Sequence, residues 1–270
     1  MTASLLRAVE SAGAEVGRHD TLNSESAYQT TALADTSFLP GPVLLLGAPG
    51  VGKGTQAQFL VNKYGIPQIS TGDLLRGNIA SGSQLGIQAQ EIMSTGRLVD
   101  DNLVNQMVLN RLHEKDTRRG YILDGYPRTL EQAHFLDSTL ARLSLAPNLP
   151  VVAISIVVAY DQLLKRITGR RVCPICKSIY NVHSNLPTTA GRCDHDGTHL
   201  LQRPDDTEDV FIERMKTFND QTAPVVAHYR NLGRFEEVDG DQPVEAVLAD
   251  IESALLSLRN NSSLVSATSN

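Results

Sequence analysis

The chain has 270 residues, a formal net charge of −6, and 41% hydrophobic against 20% charged residues. That balance is ordinary for a globular protein with a sizeable core, and its acidic sign argues against a general nucleic-acid binder. No apolar run reaches the roughly 18 residues that a transmembrane helix needs.

Residues 1–40 lack the long apolar core of a secretory signal. They carry Glu10, Glu15, Asp20, Glu25 and Asp35, whereas an organelle transit peptide is poor in acids. They read as a flexible extension, 1–41, with a short helix near Ala3–Val16. Regular structure begins at GPVLLLGAPGVGKGTQAQFLVNKYG, residues 41–65. VLLLG is a continuous apolar run, the signature of a strand buried on both faces. A glycine-rich turn follows it, and then a helical pattern from Lys53 to about Tyr64.

Three further apolar runs read as strands: GYILDGYP (120–127), VVAISIVVAY (151–160) and the more polar RFEEVDG (234–240). The last helix, Pro243–Arg259, carries Val244, Val247, Leu248, Ile251, Leu255 and Leu258 on one stripe. Residues 260–270 are small and polar and read as a flexible tail. Strands alternating with helices predict an α/β fold, a parallel sheet with helices on both faces. Two segments fit that core poorly. Residues 70–99 are polar and short-helical, and 170–206 are turn-rich and hold all three cysteines. Both read as insertions into a core of 42–69, 100–169 and 207–259.

The turn contains the first chemistry. Gly47, Gly52 and Lys53 fit G-x-x-x-x-G-K, the phosphate loop. Its glycines let successive N–H groups converge on one anion, and the following helix adds its positive N-terminal end. Gly54 stands where a hydroxyl residue is usual, and Thr55 comes one place later. Asp124, ending the second strand, is in the place that holds magnesium, often through water. Cys173-x-x-Cys176 and Cys193-x-x-Asp196 have matching spacing and could present four ligands to one zinc. His195 and His199 compete for the fourth place, and a metal-free reading leaves the cysteines as buried hydrophobes. Three cysteines within 21 residues suit a reducing cytoplasm better than a disulfide framework.

GAPGVGKGTQ, then STGDLLR (70–76), GRLVDD (96–101), DGYPRTLEQA (124–133), GRR (169–171) and RPDD (203–206), resembles the adenylate kinase family in its long form with a zinc-bearing lid. The resemblance covers roughly Val43–Leu258. It implies a five-stranded parallel sheet, a monophosphate-binding insertion, a lid, and transfer of the terminal phosphoryl group of MgATP to AMP by a monomer. It places Gly50, Val51, Gly52, Lys53, Gly54, Thr55, Arg166, Arg170, Ile179 and Tyr180 on ATP, and Gln242 against its adenine through the backbone. It places Thr71, Arg76, Arg97, Leu98, Val99, Gly125, Tyr126, Pro127, Arg128 and Gln132 on AMP. Arg203 and Arg214 bracket the moving phosphoryl group beside Lys53, Arg128, Arg170 and Asp124. Family members vary between cysteine and aspartate at the fourth lid ligand, which favours Asp196.

The cations make independent sense. An acidic chain hosts two nucleotides only by concentrating positive charge locally, and arginine binds phosphate oxygens in pairs. Arg171 is the weakest member of this set. The acids of RPDD have two readings. Asp206 or Thr207 caps the following helix, or Asp205 and Asp206 act as hinge contacts or magnesium outer-shell groups. Gln132 and Thr71 favour adenine over the alternative acceptors UMP and CMP. The arginine set argues against a regulatory nucleotide-binding protein without transfer. The missing interleaved aromatics argue against a zinc-ribbon nucleic-acid binder.

Overall fold

A computed structural model describes residues 38–143 and 149–267; the extension expected at 1–41 falls almost wholly outside them. Five parallel strands form the central sheet: β1 (Gly41–Leu46), β2 (Gln68–Ser70), β3 (Gly120–Asp124), β4 (Val152–Val157) and β7 (Phe235–Asp239). Their order is β2-β3-β1-β4-β7. Register is fixed by pairs such as Val43 with Ile122 and with Val152.

Strand β1 is buried along all six residues, as the middle strand of a covered parallel sheet must be. Its side chains alternate between two cores. Val43 and Leu45 point into one, shared with α1 (Lys53–Tyr64), α6 (Tyr160–Thr168), α7 (Glu208–Thr217) and α9 (Val244–Ala267). Leu44 and Leu46 point into the other, with α2 (Thr71–Ala80), α4 (Asp101–Leu112), α5 (Leu130–Leu143) and α8 (Ala223–Asn231). The period-two pleat sends neighbouring residues to opposite faces.

Strand β2 joins the four strands legible as apolar runs. It is three residues long and lies at the sheet edge, and only Ile69 is buried, so it carries almost no hydrophobic signal. At the other edge, β7 buries only Val238, which explains its polar sequence. Helix α9 runs on to Ala267 rather than ending at Arg259. NNSSLVSA contains neither glycine nor proline, so nothing local stops the helix where its apolar stripe ends.

The two poorly fitting segments have local structures of their own. Residues 70–99 fold as α2 and α3 (Gln84–Ser94), whose caps Ser70 and Ser83 accept from the N–H groups of Asp73 and Gly86. Residues 170–206 hold an antiparallel pair, β5 (Arg170–Val172) with β6 (Ile179–Asn181), separate from the main sheet. Its only hydrophobic cluster is Cys173, Tyr180, Cys193 and the partly buried Leu200.

Candidate active site

The carboxyl ends of β1 and β3 lie side by side, the place where an open α/β sheet receives ligands. The phosphate loop follows β1. Gly47 has φ 130°, and a Cβ there would stand 2.4 Å from the Ile156 carbonyl oxygen, so only glycine fits. Gly52, at φ 101°, caps α1 with no side-chain bond. Lys53 Nζ bridges the carbonyl oxygens of Gly47 and Ala48 at 2.7 and 3.0 Å, bending back over the loop it follows. Gly54 and Thr55 continue α1.

Lys53 stands among cations. Its pKa is lowered to about 8, first by lost hydration, with Asp124 opposing and Arg128, Arg214 and Arg170 reinforcing. Burial is also the main cause that lowers Arg203 and Arg214 to about 10, and neighbouring arginines add to it. Arg128 is lowered for the same reason, with Arg76 among its repelling neighbours. Residues more than 160 positions apart therefore form one concentrated positive field, which anionic oxygens would relieve.

Carboxylates hold this field together. Arg170 pairs with the fully buried Asp206, its Nε donating at 2.8 Å. Arg214 pairs with Asp205 at 3.0 Å, and Arg76 with Asp73 at 2.7 Å. Arg166 reaches the Gly240 carbonyl at 3.0 Å and Asp241 at 3.5 Å. Asp205 and Asp206 thus act as contacts at the base of the 170–206 segment, and Thr207 is the residue that caps α7. Arg171 donates to the carbonyls of Thr168 and Arg170, so it serves its own turn.

At the end of β3, Asp124 accepts from Gln68 at 2.9 Å, and its Oδ2 lies 3.8 Å from where a Gly54 Cβ would be. Gly125 has φ 74°, and a Cβ there would meet Arg128 Nη2 at 2.9 Å and Thr71 Oγ1 at 3.2 Å. Thr71 donates to the Gly125 carbonyl at 2.7 Å, and Arg128 Nε donates to it at 2.8 Å. Tyr126 and Pro127 are buried, and the Tyr126 hydroxyl is fixed on Asn105 at 2.5 Å. Gln132 is buried; its Oε1 accepts from the Arg128 N–H at 2.7 Å and its Nε2 donates to Asp101 at 2.7 Å. Arg97 is exposed, Leu98 half-buried and Val99 buried.

The structure brings Ile179, but not the side chain of Tyr180, towards the phosphate loop. Ile179 Cδ1 lies 3.6 Å from the position of a Gly54 Cβ. Tyr180 points the other way, into the small core of its segment, with its hydroxyl 3.6 Å from Cys193 Sγ. Adjacent strand residues cannot share a face. Gln242 is half-buried, and its side-chain amide donates to Asp250 at 2.9 Å and to the Asp239 carbonyl at 3.1 Å.

Several supporting residues carry little or no sequence signal. Asp101 anchors both Gln132 and Thr129, and its only signal was its place in GRLVDD. Thr222 holds the Arg128 carbonyl at 2.9 Å from a π-helical turn, Phe218–Thr222, that no pattern announced. Gln68 and Asp241 gave no signal.

Cys173, Cys176, Cys193 and Asp196 present four ligand atoms within 4.8 Å of one another. Three thiols and one carboxylate are a donor set that zinc accepts, and sulfurs of one tetrahedral zinc are separated by just under 4 Å. Cys176 and Cys193 Sγ are 3.4 Å apart, and Cys173 Sγ is 3.3 Å from Asp196 Oδ2. The donor set therefore fits. Among the described residues neither His195 nor His199 belongs to this group.

The sheet order, the glycine cradle and the cation cluster define a phosphate-loop nucleotide-binding protein. The family model described as adenylate kinase matches residues 45–234. The chain is 45% identical over 217 residues to an adenylate kinase of Symbiobacterium thermophilum, covering 80% of this chain and 99% of that one. It is 46% identical over 213 residues to one of Moorella thermoacetica, covering 79% and 97%. An adenylate kinase of Clostridium perfringens is 43% identical over 213 residues, covering 79% and 96%. The chain belongs to the adenylate kinase family.

Proposed function

We propose that this chain catalyses MgATP + AMP ⇌ 2 ADP with the residues gathered at the carboxyl ends of β1 and β3. The observation that carries the allocation is the burial of Lys53, Arg128, Arg203 and Arg214, which lowers the pKa of all four, with neighbouring arginines such as Arg76 and Arg170 adding to it. Such a cluster is unfavourable when empty and complementary to two polyphosphates facing each other.

In this reading the phosphate loop, Lys53, Arg166, Arg170 and Ile179 bind ATP. Thr71, Arg76, Gly125, Arg128 and Gln132 bind AMP, with Leu98 and Val99 along its base. Arg203 and Arg214 sit between them on the transferring group. The nucleophile is an AMP phosphate oxygen, already ionised at neutral pH, so no general base is required. Catalysis is positioning in line plus charge stabilisation. Asp124 suits hydrated magnesium, because a single carboxylate beside a phosphate loop leaves the other places to water and phosphate. Bound magnesium neutralises charge across the phosphates.

Residues 70–99 and 170–206 act as insertions that close over the nucleotides and exclude water, which prevents wasteful ATP hydrolysis. Zinc on Cys173, Cys176, Cys193 and Asp196 holds the second insertion together, because that segment has almost no core of its own. The enzyme works as a monomer in the cytoplasm, where thiols stay reduced.

The test is ADP formation from ATP with AMP, UMP, CMP or GMP as acceptor, with zinc measured on the same sample. AMP should be strongly preferred, with one zinc per chain. Faster turnover with UMP or CMP would reassign the acceptor, and nucleotide binding without ADP formation would leave a regulatory protein.

A further inference from the structure

We infer that Cys176 and Cys193 form a redox modification site, in which a peroxide oxidises the pair to a disulfide and expels the metal from the lid. This rests on the zinc reading above and extends it to the chemistry of the ligands.

The four ligands are not equivalent. The Cys176 and Cys193 sulfurs face each other at 3.4 Å, while Cys173 Sγ faces the Asp196 carboxylate at 3.3 Å. A disulfide bond is about 2.0 Å long, so little approach is needed to bond the first pair. The two sulfurs also differ in access. Cys176 is exposed and Cys193 is buried, which divides them into an attacking and a resolving thiol.

The chemistry balances. The Cys176 thiolate attacks one oxygen of hydrogen peroxide; the O–O bond breaks, hydroxide leaves, and a sulfenic acid forms. The Cys193 thiolate attacks that sulfur, and the sulfenic oxygen leaves as a second hydroxide. Two protons from solvent convert both hydroxides to water. The two thiolates lose two electrons and the peroxide gains them. A dithiol reductant reverses the change by exchange.

One oxidation is decisive. The remainder is one thiolate, Cys173, and one carboxylate, Asp196, too few for the closed four-ligand geometry of structural zinc. The consequence reaches the nucleotide cleft. Tyr180 packs against Cys193 and accepts from the Asp194 N–H at 2.8 Å, and β6 pairs with β5, the strand that begins with Arg170. Loss of the metal unties the segment that carries Arg170 and Ile179.

The test uses the full zinc-loaded chain, treated with hydrogen peroxide. A chromophoric chelator reads zinc release, and non-reducing peptide mass mapping reads the cross-link. One zinc released per chain, with a Cys176–Cys193 disulfide reversed by dithiothreitol, is the expected result. In Cys176→His, which supplies a nitrogen ligand in place of the attacking sulfur, release should slow by about tenfold or more. Zinc retained after peroxide, or a Cys173–Cys176 disulfide instead, overturns the inference. A chain that holds no zinc before treatment refutes the zinc reading; the cross-link, mapped on that same metal-free chain, then decides the pairing separately.

Discussion

Replacing Arg128 with alanine tests the AMP half of the site most directly. In the structure the guanidinium is held by Nε on the Gly125 carbonyl at 2.8 Å, which leaves both terminal nitrogens for phosphate oxygens. Removing one partner of a buried, charged hydrogen-bonded pair costs about 2–5 kcal/mol. At about 1.4 kcal/mol per factor of ten, kcat/KM for AMP should fall by roughly 30- to 4,000-fold. The fall should be in AMP, with ATP binding nearly unchanged. A second effect follows from the empty site. Arg128 is among the cations that suppress the Lys53 ammonium, so the basic limb of the pH profile should move upward in the variant. The folded chain should lose little stability, because the burial cost of the guanidinium goes with it and the Gly125 carbonyl still accepts from Thr71. Steady-state assays with AMP varied, pH profiles and thermal melts read all three. A kcat/KM for AMP within about threefold of the parent would refute the assignment.

Lys53 gives an opposite-signed pair of pH effects. Activity of the free enzyme should fall as pH rises through about 8, where Lys53 loses its proton. The unfolded lysine keeps its proton to 10.5, so this group makes the folded chain more stable as pH rises between about 8 and 10.5; denaturant titrations across that window check the sign. Gly47→Ala should abolish ATP binding and lower the melting temperature, since its Cβ would press on the Ile156 carbonyl at 2.4 Å; calorimetry with ATP reads the first and a melt the second. Asp206→Asn leaves the Arg170 guanidinium without its buried carboxylate and should cost on the order of 3 kcal/mol in denaturant unfolding. Chelation should speed proteolysis within 170–206 while leaving core helicity intact, read by peptide mapping beside circular dichroism.

What the sequence determined by itself is local and periodic. VLLLG had to be a buried strand, GAPGVGKGT a phosphate cradle, and the stripe from Val247 to Leu258 a packed helix, because each pattern satisfies only one backbone geometry; Val244, read as the start of that stripe, is exposed in the first turn of α9. The paired x-x spacings within 170–206 likewise left four ligand candidates and two histidine rivals. Tertiary structure decided the rest. It made three residues around Ile69 into the fifth strand, because an edge position needs little hydrophobicity. It turned Tyr180 away from the loop and Ile179 towards it, a choice that depends on which face of β6 meets the small core of the 170–206 segment. It paired Arg170 with Asp206 and Arg214 with Asp205, and set Asp101 and Thr222 behind Gln132 and Arg128. It gathered Asp196, rather than a histidine, with the three thiols. These partners lie far apart in the chain or differ by one residue in facing, and composition and spacing carry no information about either until the backbone closes.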